Sequence, residues 1–344
     1  MTMATQTSLL LDALSLKNNS HRPPIWLMRQ AGRYMPEYRK IRTNYSFLQM
    51  CRTPELVYEI TNLPLKAFNL DAAILFSDIL VILESFKKKF QFIENIGPVI
   101  EQPLSIPSDV ENLQALPANK ALYYVKQAIV ELKKDLTVPL LGFCGAPFTI
   151  ASYLIEGKSS RDLKKTKQWL FQDPKSFFLL LDKITDASID YLNLQIEAGV
   201  DAIQIFDSWA NCLAFPQFQQ CTLKYLEKIM KGLSSTQVPL IFFCKGSSVF
   251  YKNLASLKPQ ALSIDWNENL ANIRQNLGLT IALQGNLDPY VLYGSQSIIK
   301  TQVESILESM RGDKGFIFNL GHGILPDIPY QNVQFLVDTV KNFV

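Results

Sequence analysis

The chain has 344 residues, 48% hydrophobic and 19% charged, a globular balance with ample material for a core. Its formal charge of +3 is too small and too interspersed for a nucleic-acid stripe or a membrane-surface patch, so neither partner is expected and any anionic ligand must be recognised locally. Length alone suggests two domains, but α/β barrels run past ~250 residues as one unit.

The first 19 residues lack the cationic start of a secretory signal and contain no arginine. A flexible N-terminal segment is expected over 1–20, followed by one domain over 21–344. Eight short apolar, β-rich runs then follow, at 24–28, 72–76, 140–144, 202–206, 240–244, 261–265, 281–284 and 315–319. Most are apolar on both faces, as parallel strands covered on both sides should be. Between them lie helix-period segments. One begins at Thr53-Pro54-Glu55, where Thr caps and Pro takes the first turn; others span 176–198, 295–310 and 329–343. The stretch 87–107, with Phe90, Phe92 and Ile93 followed by Gly97-Pro98, reads as a hairpin insertion after the second strand. The nearly uncharged run 138–155 is interrupted by Pro139, Gly142, Gly145 and Pro147, which excludes a membrane span. Eight strands alternating with helices predict a single-domain α/β fold, a (β/α)8 TIM barrel.

Cys51, Cys144, Cys212, Cys221 and Cys244 form no C-x-x-C pair and are odd in number. They read as reduced thiols of a cytoplasmic protein.

The chemistry-bearing residues share one location, just past a strand end: Arg29, Asp78, Asp207 with Ser208, Lys245, Gln284 through Asp288, and Asn319 through His322. In a barrel these positions line the active-site mouth. Arg29 and Arg33 lie four apart, and Gln30-Ala31-Gly32 leaves room for a tight turn aiming both at one ligand. Guanidinium groups grip carboxylates in pairs of parallel hydrogen bonds. The alternative is surface pairing to Glu37 or Glu55, to which Arg39 and Arg42 are the more open. Asp78 follows Ser77 and would otherwise be a helix cap. His322 stands between Gly321 and Gly323, and the only other histidine is His21. Tyr153 and Ser208 would otherwise be a core phenol and a cap.

Six blocks carry a resemblance: Arg-Gln-Ala-Gly-Arg-Tyr-Met-Pro-Glu-Tyr at 29–38, Phe-Ser-Asp-Ile-Leu at 76–80, Gly-Phe-Cys-Gly-Ala-Pro-Phe-Thr at 142–149, Phe-Asp-Ser-Trp at 206–209, Gln-Gly-Asn-Leu-Asp-Pro at 284–289 and Asn-Leu-Gly-His-Gly at 319–323. In order and nearly end to end, the chain resembles the uroporphyrinogen decarboxylase family. The resemblance implies a homodimeric barrel, with neither cofactor nor metal, acting on a polycarboxylated tetrapyrrole. Four acetate side chains of uroporphyrinogen III would become methyls, giving coproporphyrinogen III in haem and tetrapyrrole biosynthesis. It implies catalytic roles for Asp78 and Arg29, and substrate contacts from Arg29, Gln30, Ala31, Gly32, Arg33, Asp78, Tyr153, Ser208 and His322, with Arg42 a further basic contact. One departure stands at Lys158-Ser159-Ser160, where the family has more glycine.

Protonating the ring carbon beside an acetate creates a cation that accepts the electrons left by carbon dioxide, so the pyrrole is its own electron sink. Asp78 suits the pyrrole N–H groups and the ring cation. The proton donor stays open between His322, Tyr153, water and Arg29, the last a poor acid with a pKa above ~12. Two rivals remain. A zinc-dependent, corrinoid-linked methyltransferase of the same barrel superfamily needs His two residues before Cys, where this chain has Phe242-Phe243-Cys244. A non-catalytic tetrapyrrole-binding protein has no reason to keep Asp78 and both arginines together.

Overall fold

Apolar runs without alternating polarity need cover on both faces, and parallel pairing under helices supplies it. A computed structural model of the chain describes residues 8–94, 96–235 and 237–343. Its strands are β1 (Ala73–Ile74), β2 (Phe90–Ile93), β3 (Gly97–Ile100), β4 (Leu140–Gly145), β5 (Ala202–Asp207), β6 (Leu240–Cys244), β7 (Ala261–Ser263), β8 (Ala282–Leu287) and β9 (Phe316–Leu320). Seven of them form a parallel sheet in the order β1-β4-β5-β6-β7-β8-β9, curled and clad with helices into an α/β barrel-like fold.

The expected first strand, 24–28, differs in kind. It forms a single bridge, Ile25 to Phe318, rather than a ladder. Yet it touches both edges of the sheet. Phe318 N–H donates to the Pro24 carbonyl at 2.9 Å, and Asp71 N–H to the Ile25 carbonyl at 2.9 Å. Pro23 and Pro24 have no N–H to give. Met28 N–H goes to the Asn319 side-chain oxygen at 3.0 Å instead of to a strand carbonyl.

Side chains alternate along each strand, which divides the core in two. Ile25, Leu27, Leu140, Ile203, Phe242 and Phe318 pack outward against the helices. Trp26, Met28, Leu141, Ile241, Phe243 and Ile317 pack inward. Four inward positions are only alanine, Ala72, Ala202, Ala261 and Ala282, and Leu10, Ala13 and Leu14 join the same cluster. These three belong to a helix, Leu9–Leu14, whose cap is Ser8. This corrects the flexible segment expected over 1–20: within it, small residues leave space inside the sheet that a helix fills. Residues 1–7 lie outside those described. Above this plug Gln284 joins the inward side chains, accepting from Trp26 Nε1 at 2.9 Å and donating to Gln204 and Ser263 at 3.0 and 2.9 Å.

β2 and β3 pair as an antiparallel ribbon between β1 and β4. It is tied down at Val99 to Lys158 and by Ile100 N–H to the Gly157 carbonyl, 2.7 Å. The expected helices are present as Pro54–Phe68, Pro174–Ala198, Gln296–Ser309 and Tyr330–Lys341. Pro54 occupies the first turn as expected, but the Thr53 hydroxyl makes no cap bond. Among the described residues no helix is long and apolar enough to cross a membrane. All five cysteines are free thiols, four of them buried.

Candidate active site

Loops beyond the carboxyl ends of the strands, together with the ribbon, enclose a cavity of about 720 Å³, within the range of small-molecule sites. All ten residues singled out from the sequence line it: Arg29, Gln30, Ala31, Gly32, Arg33, Arg42, Asp78, Tyr153, Ser208 and His322. A smaller hollow of about 400 Å³ beside Trp266, Glu268 and Asp288 contains none of them.

Three strand-borne aromatic rings form one wall. Phe143, Phe206 and Phe243 stand edge to face at 5.6 and 5.8 Å between centroids, and Phe243 meets the His322 ring at 5.9 Å. Apolar rings exclude water and strengthen the electrostatics of charges set among them.

The arginine turn is built differently from the sequence expectation. Its left-handed residue is Arg29 itself, at φ +60°, rather than Gly32. That conformation costs a side-chain-bearing residue roughly 1–2 kcal/mol and is held by its surroundings. Gln30 N–H donates to the Leu27 carbonyl at 2.9 Å. The buried Gln30 amide accepts from Leu27 N–H and donates to the Ala72 carbonyl, both at 3.2 Å. Tyr34 Oη donates to the Gln30 carbonyl at 2.6 Å. The Gln30 side chain is therefore occupied in building the turn. A β-carbon at Gly32 would lie 3.3 Å from the Arg29 carbonyl oxygen, a tight contact. Arg39 braces the same turn, donating to the Arg33 and Tyr34 carbonyls at 2.8 and 3.0 Å. Among the described residues neither Arg29 nor Arg33 has a carboxylate within ion-pair distance, so pairing to Glu37 or Glu55 does not occur.

Asp78 is the cap of the 3-10 helix Ile79–Phe86, with Oδ1 accepting Leu80 N–H at 2.8 Å. Its other oxygen has no protein partner among the described residues. Burial raises its pKa, opposed by the Leu80 N–H and the Arg29 charge. Arg29 opens onto the cavity yet is withdrawn from bulk water, which lowers its pKa against the pull of Asp78. The two charges sense each other without a direct ion pair.

His322 is half-buried, and burial with the Arg29 and Lys245 charges pushes its pKa down to about 3. It enters the site as a neutral imidazole. Its glycine neighbours have steric reasons. A β-carbon at Gly321 would sit 2.7 Å from the Trp266 backbone nitrogen, and one at Gly323 would lie 2.6 Å from Arg29 Cγ. The histidine loop thus threads between Trp266 and the Arg29 stem.

Tyr153 comes from the helix Pro147–Glu156, edge-on to Trp209 at 6.0 Å, and burial raises its phenol pKa. Ser208 follows Asp207, which is buried and accepts from Thr149 Oγ1 at 2.6 Å and Thr222 Oγ1 at 3.2 Å. Burial lifts Asp207 to about 6 in spite of these bonds. Trp209 N–H donates to Thr149 Oγ1 at 3.2 Å, so this buried group shapes the Ser208-Trp209 loop without lining the cavity.

The block from Gln284 to Asp288 and the residue Asn319 also stand back from the cavity. β8 continues to Leu287, which places Gln284 in the interior and Asn286 against the Asp265 and Glu268 carbonyls. Asn319 accepts from Met28 and Leu320 N–H and so locks the approach to Arg29. In the other direction, sequence reasoning gave no role to Tyr38, Phe47, Glu94 or Trp209, all in the wall, and none to Lys245 beyond its strand-end position. Phe47 carries no signal at all, since it lies on a short helix, Phe47–Arg52, that only folding brings to the ribbon. The wall holds four cationic side chains, Arg29, Arg33, Arg42 and Lys245, against two carboxylates, Asp78 and Glu94. That surplus fits a ligand with several negative charges.

Among the described residues no three His, Cys, Asp or Glu side chains are grouped to hold a metal ion. Cys244 is buried at the end of β6, and burial with Asp207 and Asp265 pushes its thiol pKa up.

Among solved structures, a methyltransferase from Methanosarcina mazei matches with a TM-score of 0.81 at 23% identity, over 98% of this chain and 99% of that one. A B12-independent methionine synthase from Shewanella sp. W3-18-1 matches at 0.56 and 12%, over 84% and 86%. At such identities the likeness shows the fold alone. A family model described as uroporphyrinogen decarboxylase (URO-D) matches residues 5–343. The uroporphyrinogen decarboxylase of Protochlamydia amoebophila is 54% identical over 333 residues, 96% of this chain and 91% of the relative. That of Syntrophotalea carbinolica is 45% identical, over 93% of each chain.

Proposed function

The chain belongs to the uroporphyrinogen decarboxylase family, and we propose that this cavity removes the carboxyl groups of the four acetate side chains of uroporphyrinogen III. The products are coproporphyrinogen III and carbon dioxide, within tetrapyrrole biosynthesis. The observation that carries the site assignment is the pairing of one unpartnered carboxylate oxygen on Asp78 with a wall otherwise rich in cations.

A proton adds to the ring carbon adjacent to the one that bears the acetate, and the positive charge spreads over the acetate-bearing carbon and the ring nitrogen. The bond between the methylene and the carboxylate then breaks. Its electron pair forms an exocyclic double bond, and carbon dioxide leaves. Protonation of the exocyclic carbon makes the methyl group, and loss of the ring proton restores the pyrrole. One proton is consumed for each carbon dioxide released.

Asp78 accepts the pyrrole N–H groups through its free oxygen, and that interaction strengthens as the ring becomes cationic. The Leu80 N–H holds the carboxylate in place, so little reorganisation is needed at the moment of reaction. Arg29 and Arg33 grip carboxylate arms with their forked donors, and Arg42 extends the same side of the cavity. Tyr153, Ser208 and neutral His322 offer single hydrogen bonds, while Gln30, Ala31 and Gly32 present the turn that aims the arginines. The aromatic wall excludes water from the ring cation.

On this reading 24–28 is the first of eight staves of a (β/α)8 barrel, its contacts to both sheet edges being the support. The ribbon is then an insertion after the second stave, and 21–344 is one domain. By family likeness the protein acts as a cytoplasmic homodimer, with no nucleic-acid or membrane partner. The test is anaerobic incubation with uroporphyrinogen and chromatography of the products. Species with seven down to four carboxylates are expected; an unchanged octacarboxylate overturns the assignment.

A further inference from the structure

Arg29, Arg33 and Arg42 all come from the single stretch that follows segment 24–28, so they occupy one side of the cavity. A macrocycle with carboxylates around its whole rim needs a charged contact on the other side as well. The sheet order identifies where that side is. From 24–28 the hydrogen-bonded neighbours run through β1, β4 and β5 to β6 in one direction, and through β9, β8 and β7 to β6 in the other. β6 is therefore the strand opposite the arginines.

The residue leaving the end of β6 is Lys245, half-buried in the cavity wall. Its ammonium has no ion pair among the described residues. Its charge nevertheless reaches His322, which Arg29 also influences. The backbone around it is anchored. Lys245 N–H donates to the Asp207 carbonyl at 3.1 Å, and Gly246 N–H donates to the carboxylate of Asp265, which is fully buried and also accepts Asn267 N–H at 3.0 Å. Gly246 stands at φ +66°, and a β-carbon there would lie 2.6 Å from Asn211 Cβ, so the turn that presents Lys245 is specified by its own surroundings. An unpaired cation on an anchored turn, facing three arginines across a cavity, is arranged for a ligand.

We infer that Lys245 is a substrate-binding residue, its ammonium holding a carboxylate arm of the tetrapyrrole on the wall opposite Arg29, Arg33 and Arg42. The inference rests on the substrate class given under the proposed function. An ammonium on a four-carbon stem makes a point contact with rotatable donors, whereas an arginine fork demands one geometry. Lys245 therefore accommodates an acetate or a longer arm as successive acetates are presented for reaction.

The test compares Lys245→Met, Lys245→Arg and a surface control of equal charge change, Lys252→Met, for anaerobic turnover of uroporphyrinogen and for binding of oxidised, non-reacting uroporphyrin. Loss of one charge-assisted contact should raise KM and weaken uroporphyrin binding by about 10- to 100-fold, with kcat changed less than about threefold. Lys245→Arg should recover part of the affinity, and Lys252→Met should match wild type. Lys245→Met protein that melts normally, turns over with unchanged KM and binds uroporphyrin as wild type overturns the inference and leaves the reaction standing. So does a fall in kcat with KM and binding untouched. Wild-type protein that binds uroporphyrin but fails to decarboxylate uroporphyrinogen overturns the reaction instead, and the binding arm then decides Lys245 alone. Where Lys245→Met does not fold, the Lys245→Gln variant is held to the same outcomes.

Discussion

Replacing Asp78 by Asn separates the two tasks this residue performs. The amide oxygen can still accept the Leu80 N–H that Oδ1 now accepts at 2.8 Å, so the cap of the helix Ile79–Phe86 survives. The negative charge does not survive. Burial raises the Asp78 pKa, which means that the ionised carboxylate is less at ease in the folded protein than in water. For an acid whose folded pKa lies above its unfolded value, stability falls as pH rises through the window between the two. The ionised carboxylate carries that loss in the wild type, and Asp78→Asn escapes it. The variant should therefore melt no lower than wild type.

Turnover should move the other way. Removing one preorganised group at a developing charge typically costs ~100- to 1,000-fold in rate, about 3 to 4 kcal/mol. Binding should suffer less, since the amide oxygen still accepts one pyrrole N–H. Asp78→Glu keeps the charge but displaces it by a methylene, and should be impaired by misplacement. Asp78→Ala loses the cap as well and should be destabilised by about 1 kcal/mol. The measurements are anaerobic turnover with chromatographic product analysis, and thermal melting of the same preparations. Near-wild-type turnover by folded Asp78→Asn would place the catalytic centre elsewhere. A marked drop in its melting temperature would refute the electrostatic argument.

Arg33→Lys keeps charge but loses the fork, so KM for uroporphyrinogen should rise; unchanged kinetics would remove Arg33 from the site. The His322 imidazole of the free protein should titrate at about 3 by NMR. Bound carboxylates oppose the Arg29 and Lys245 charges that help to depress it, so its pKa should rise on binding a carboxylated porphyrin; titration near 6.5 in the free protein would contradict this. Leu10→Ala should cost roughly 2–5 kcal/mol in chemical denaturation, because Leu10 is buried among the inward side chains. Its KM should stay as in wild type, and unaltered stability would return 8–14 to the loosely attached segment first expected.

Local pattern determined a good part of this protein. Runs apolar on both faces marked β4, β5, β6 and β9 to within a residue at each end, because strands buried on both sides must be apolar throughout. Pro54 and Ser295 marked helix starts, since caps depend on a few neighbouring residues. Arg29, Arg33, Asp78, Ser208 and His322, which line the cavity, were legible in ordered blocks at strand ends. What chemistry each could perform was legible from residue type.

Other features depended on distant partners, and no local signal records those. Segment 24–28 lies against both β9 and the approach to β1, but its prolines and the Asn319 side chain keep it from a full ladder. Leu9–Leu14 falls within the segment expected to be flexible until Ala72, Ala202, Ala261 and Ala282 leave it a space to fill. Gln30 and Asn319 read as ligand-facing polar residues until folding supplies backbone partners for them. His322 is neutral because folding removes water from it and also brings Arg29 and Lys245, distant in sequence, near it. Composition and motif thus determined which groups were available. Only the tertiary fold decided which of them line the cavity and in what charge state, because burial and long-range charge act through space and not along the chain.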